Sequence, residues 1–473
     1  MLALTMVGVV SSATAFSNMG PYDSWQVPGI GYNPLGFDFG GPMNLGEEYR
    51  WNNKTIYYAY DQSFIQYFGV QGTNAIEKAF AILNAIPATS QMSSNLSEFP
   101  LESKRVNYAA SALGLRDLKS HTLETMMPEM GLASPERYTW CLRAKTVLAG
   151  PPRTNYTVIK RNFDPVTLNP SSYVNGVLYT YAIQDPVNFL GLTADYADAV
   201  EVQVDPLQIG FTAVASGESI NGRLAGLGSG EYYTGLTRDD MGGWRHLYGT
   251  ANPLEHWHVE TLPLGTTSTS STGSPWQPVG GTNATGSSNF VNQAIRPGVD
   301  KITFVQGKYD SMVGVFVSIT NMWTDTYVSN STLQSQSVQR VLNAPDILIA
   351  ADDLGLLPDG FPILSTRTIS DNWINNDSIN GSTTLAGPGI IPGPVILTYS
   401  KLGPYFINQN PFLLDESRIF TAGTSWGYFD GTTNDPIVFP SGSSIQELQI
   451  QAVFGGGGSP WTVPNSGATT NAP

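Results

Sequence analysis

Histidine is almost missing from this chain: its 473 residues hold four, His121, His246, His256 and His258. No two of them stand in the H-E-x-x-H spacing by which one helix presents two imidazoles to zinc, so that chemistry lacks its ligands. Cysteine is rarer still. The lone Cys141 excludes an intramolecular disulfide framework and every C-x-x-C site. It lies in the run Tyr138-Thr139-Trp140-Cys141-Leu142, which implies a buried, inert thiol. Lys and Arg number 23 against 38 Asp and Glu, a net charge of −15. Such a polyanion repels phosphate backbones, which argues against a nucleic-acid partner. Charged residues make up 13% of the chain, too few for a coiled coil. Long apolar runs are also missing. Beyond the extreme N-terminus nothing approaches the ~18 apolar positions of a membrane-crossing helix, so no stable membrane span is expected.

The abundant residues are Gly (49) and Pro (32), with many Ser, Thr and Asn. Gly and Asn supply positive-φ turn positions and Pro pre-sets φ, a mix that suits loop-rich β structure. Residues 2–10 form a short apolar run, and Ala13-Thr14-Ala15 before Phe16 is a small-x-small cleavage pattern. Residues 1–15 therefore read as an export signal, although a basic opening segment is missing. That signal places the protein outside the cell, at its surface or in a periplasm.

Residues 16–50 are rich in Gly, Pro and aromatics without a period and read as an irregular arm. Residues 55–60, β-branched and aromatic throughout, predict a strand that ends at Asp61. Ile76, Ala79, Phe80, Leu83 and Asn84 fall at helical spacing and predict an amphipathic helix over 74–85, stopped by Pro87. A second helical zone is expected over 105–130. Strands are expected at 156–160, 177–182 and 200–204. Thr237-Arg238-Asp239-Asp240 reads as a capping box that opens a helix closed by Gly249. Residues 251–289 are Thr/Ser/Gly-rich and read as a linker. Residues 290–454 carry short apolar runs between turn clusters, as in a β-sandwich-like domain, and 455–473 read as a disordered tail.

Two segments carry a resemblance. Trp51, Ile56, Tyr58 and Tyr60, followed by Ala75-Ile76-Glu77-Lys78-Ala79-Phe80, resemble the opening of a matrixin zinc-peptidase domain. Residues 236–249, from Leu236-Thr237-Arg238-Asp239-Asp240-Met241 to Leu247-Tyr248-Gly249, resemble its closing helix. Together they cover about fifty residues. The resemblance implies an α+β domain over 51–250 with helices on a small sheet. The H-E-x-x-H-x-x-G-x-x-H helix of that family has no counterpart here, and no ligand can be carried over. His121, in Ser120-His121-Thr122-Leu123-Glu124, has no second histidine one turn away.

Other chemistries leave weak traces. His256 and His258 in Glu255-His256-Trp257-His258 would share one face of a strand, and His246 could complete a metal triad. Gly423-Thr424-Ser425-Trp426-Gly427 fits G-x-S-x-G, but a strand rather than a helix is expected after it and no histidine follows. Gly226-Leu227-Gly228-Ser229-Gly230 lacks the lysine of a phosphate loop. Asp195, Asp198, Glu201 and Asp205 could contain a glycosidase carboxylate pair. Ten Trp and 22 Tyr could supply stacking platforms for sugars.

The expectation is an exported α+β protein: a matrixin-like region without its zinc motif, then a C-terminal all-β domain. It acts as a non-catalytic binding or structural component towards an extracellular protein or glycan. No cofactor is implied. The alternative is a divergent secreted hydrolase, either a metallopeptidase using His256 and His258 or a carboxylate-dependent glycosidase.

Overall fold

A computed structural model describes residues 15–20, 41–148, 153–185, 197–217, 226–250, 258–261, 276–278, 293–310, 315–330, 332–355, 363–367, 374–375, 389–390, 395–408, 417–422 and 425–440. Helices and strands are mixed along it, with the strands gathered into several small sheets. Among the described residues no helix is long and apolar enough to cross a membrane.

Strand Thr55–Tyr60 forms where the β-branched and aromatic run predicts it. Asp61 then starts a helix: its carboxylate accepts the Ser63 amide at 2.8 Å. This long helix, Gln62–Ala85, begins well before the periodic stretch because Gly69 (φ 62°, ψ −165°) kinks it and hides the period. The extra turns are anchored by Phe64 and Phe68, which stack at 4.6 Å.

The zone 105–130 divides. A short helix, Tyr108–Ala112, ends near Gly114 (φ +68°), and Arg116–Asp117 makes a two-residue strand. Asp117 then caps helix Leu118–Glu129, accepting the Ser120 amide at 3.0 Å. Every residue of this helix is buried. A helix covered all round shows no polar stripe, so periodicity could not locate its start. The strands Arg153–Ile159, Val177–Gln184 and Asp198–Gln203 stand where alternation puts them. Helix Arg238–Tyr248 carries its capping box, in which Asp240 Oδ2 accepts from both the amide and the hydroxyl of Thr237. Cys141 is buried.

The central sheet combines a strand of the expected N-terminal domain with strands from the C-terminal half. Its order is Thr303–Gln306, Thr55–Tyr60, Ile347–Asp352, Val395–Ser400, Ser365–Arg367. The first four strands run parallel and the last is antiparallel. Thr55–Tyr60 thus lies between strands from the distant second half, which satisfy its backbone groups on both edges. Asn84 of the long helix clamps one of them: its side chain donates to the Phe304 carbonyl at 2.9 Å and accepts the Phe304 amide at 2.7 Å. One apolar core runs from Tyr49 and Trp51 through Phe80 and Met126 to Leu397, Trp426 and Phe439. Buried parallel strands read as short apolar runs that do not name their partners, which is why a sandwich was expected instead.

A second, antiparallel sheet has the order His258–Thr261, Gln293–Arg296, Ile319–Ser329, Thr332–Leu342, Trp276–Pro278. Two of its strands fall inside the expected linker, which is therefore not linker at those residues. The rest of that expected linker, the expected signal up to Thr14 and the expected tail 455–473 lie outside the described residues. The arm is regular at its start: Ser17–Gly20 pairs with Leu132–Ala133 and Gly41–Pro42. Phe16 is buried beside it.

Candidate functional site

The metal candidates occupy different settings. His246 lies buried on helix Arg238–Tyr248, where Nε2 pairs with the Glu48 carboxylate and the ring stands 5.2 Å from that of Phe16. His258 opens an edge strand opposite Arg296, and His256 lies outside the described residues. Among the described residues no group of three His, Cys, Asp or Glu side chains is arranged to hold a metal ion. Of the candidate glycosidase acids, Asp198 is held by Arg137 Nη2 at 3.0 Å to each oxygen, and Asp205 accepts the Leu207 amide at 3.0 Å. Asp195 lies outside the described residues. Ser425 is followed directly by strand Trp426–Tyr428.

A cleft of about 220 Å³ opens where the two large sheets meet. Asn52 and Lys54, just before strand Thr55–Tyr60, form one side, and Arg296 and Asp300 form the turn below. Trp323 and Asp325 of strand Ile319–Ser329 complete it. Most of its polar groups are committed. Arg296 grips Asp325 twice, Nε to Oδ1 at 2.9 Å and Nη2 to Oδ2 at 3.1 Å, and Gln336 adds a bond at 2.8 Å. Asp300 accepts from the Thr89 hydroxyl at 2.7 Å and the Ser90 amide at 2.8 Å. Asn52 is different. It is 4% exposed, yet neither Nδ2 nor Oδ1 has a hydrogen-bond partner among the described residues. An unsatisfied buried amide costs roughly 1–3 kcal/mol. Trp323, half-buried, adds an apolar plane.

The second polar constellation lies on the buried helix. His121 and Glu124 share a face one turn apart, with Nδ1 3.2 Å from Glu124 Oε2. His121 Nε2 is 2.8 Å from Ser365 Oγ, on the antiparallel edge of the central sheet. Glu124 Oε1 also accepts the Leu227 amide at 3.1 Å. Gly217 and Gly226 close around this carboxylate: a Cβ on Gly217 would stand 2.2 Å from Glu124 Cγ. Burial, with the Glu124 charge nearby, holds the Tyr233 phenol well above the usual range.

A buried acidic group surrounds the start of helix Arg238–Tyr248. Burial pushes Glu136 up to about 8, although the Thr212 amide at 3.0 Å favours its ionised form. Burial likewise raises Asp239, which accepts the amides of Ala15 at 2.9 Å and Asn175, and Asp240, which accepts those of Val214 and Ala215. These carboxylates tie loops together and do not face the cleft.

Comparison with protein-family models, with curated proteins and with solved structures returns no match. Sequence reasoning missed Asn52 and Ser365, for which no local pattern exists. The spacing of His121 and Glu124 was the one available signal. It becomes meaningful only once residues 118–129 are known to be helical.

Proposed function

We propose that the protein is exported and serves outside the cell as a binding component, taking a sugar unit of a glycan into the cleft beside Asn52 and Trp323. The carrying observation is the Asn52 carboxamide, buried at the cleft wall with both polar atoms unpartnered among the described residues. A carboxamide donates and accepts side by side, which matches two neighbouring hydroxyls of a pyranose, and an indole covers the apolar C–H face. The volume of 220 Å³ lies below the range of about 300–1,000 Å³ of drug-sized sites and suits a single ring.

The export reading rests on the apolar run and the Ala13-Thr14-Ala15 pattern. The matrixin-like frame is part of the same proposal, with its zinc chemistry gone. In support, the opening and closing segments pack in one core around a helix whose only imidazole is His121.

The test is a panel of immobilised mono- and oligosaccharides probed with the full chain and with Asn52→Ala and Trp323→Ala. The proposal expects at least one sugar to bind and each substitution to weaken it about tenfold or more, as loss of one good contact does. No binding to any sugar, or binding untouched by both substitutions, would overturn it.

A further inference from the structure

The glycan-binding reading needs no chemistry, but the central sheet and the buried helix assemble some away from that cleft. We propose that Ser365, His121 and Glu124 form a nucleophilic relay that accepts an acyl group from a small carboxylic ester.

The geometry is a chain of two contacts. Ser365 Oγ lies 2.8 Å from His121 Nε2, and His121 Nδ1 lies 3.2 Å from Glu124 Oε2. A carboxylate beside Nδ1 holds the proton there, which leaves the Nε2 lone pair for the serine hydroxyl. Glu124 is fixed from another direction by the Leu227 amide, so the relay is anchored at its buried end. The imidazole is fixed too, with its ring 5.1 Å from Trp426 and 6.1 Å from Tyr399. Solvent reach decreases along the relay: Ser365 is half-buried, His121 is 9% exposed and Glu124 2%. That gradient is what a nucleophile, its base and an orienting acid require. The two outer members come from chain segments far apart in sequence, brought together only by the fold.

In the first step Ser365 Oγ bonds to the ester carbonyl carbon while its proton passes to His121 Nε2. The C–O bond to the alcohol then breaks, and the alkoxide leaves with that proton. Water adds to the acyl-serine, giving its proton to His121, which returns it to Ser365 Oγ as the acid departs. Ester and water become acid and alcohol, with no further reactant.

The test treats the full chain with a fluorophosphonate, in which Oγ displaces fluoride from phosphorus, and locates the adduct by mass spectrometry. The inference expects the adduct on Ser365, none at that peptide in Ser365→Ala, and a rate lowered about tenfold or more in His121→Gln. Circular dichroism establishes that each variant is folded. Labelling is read without any sugar present, so this result and the sugar-binding result fail independently. Absence of an adduct on Ser365 in folded protein overturns the inference, as does a smaller loss of rate in folded His121→Gln.

Discussion

Trp51 and Tyr248 meet at the C-terminal end of the buried helix. Trp51 Nε1 donates to the Glu129 carbonyl at 2.7 Å, the Tyr248 hydroxyl donates to the Met130 carbonyl at 2.8 Å, and the Trp51 amide reaches that hydroxyl at 3.4 Å. Carbonyls at a helix end have no partner within the helix, and here two distant aromatics supply them. Trp51→Phe keeps most of the packing and removes one donor from a buried carbonyl. We expect a loss of about 1–3 kcal/mol in urea unfolding. A loss of a few tenths would mean that the indole bond contributes nothing.

The pH dependence of stability has a definite sign at Glu136. Burial lifts its carboxyl from an ordinary 4.5 to about 8 in the folded chain. The folded state therefore keeps a proton that the unfolded chain releases above pH 4.5. This contribution is complete below that pH and is lost as pH rises towards 8, at up to about 1.4 kcal/mol per pH unit. Glu136→Gln keeps the acceptor for the Thr212 amide and carries no titrating proton. Unfolding midpoints measured from pH 5 to 8 should fall less steeply for this variant than for the wild type. Parallel slopes would remove Glu136 from the account.

Asp325 supports the cleft from below. Its bidentate bond to Arg296 is buried, with side chains 6% and 4% exposed. Asp325→Ala should destabilise the chain by about 3–5 kcal/mol because it leaves a buried guanidinium without its carboxylate. Replacing both partners, as in Arg296→Met with Asp325→Leu, should recover much of that loss. Thermal unfolding of the three variants checks this, and equal losses in the single and double variants would contradict it.

Local signals were readable wherever one face of an element meets solvent or its residues favour one backbone. Strand Thr55–Tyr60 and the capping box at Thr237 and Asp240 stand as their side chains dictate. Three things were hidden. Gly69 masked the first turns of the long helix, and complete burial erased the period of helix Leu118–Glu129. The pairing of Thr303 with Thr55 and of Ile347 with Tyr58 depends on which apolar strand fits beside which, and no short window contains that information. The candidate sites share this last limit. Asn52 is notable only because no described residue bonds its amide, and Ser365 only because the sheet carries it to His121.

The most direct test of the binding account is the Trp323 indole N–H resonance, assigned in 15N-labelled protein by its loss in Trp323→Phe. The protein is titrated with the sugar that scores highest on the panel. The account predicts that this resonance shifts saturably and that the shift disappears in folded Asn52→Ala. Saturable binding that leaves the Trp323 signal unmoved would place the ligand elsewhere and contradict the assignment of the cleft.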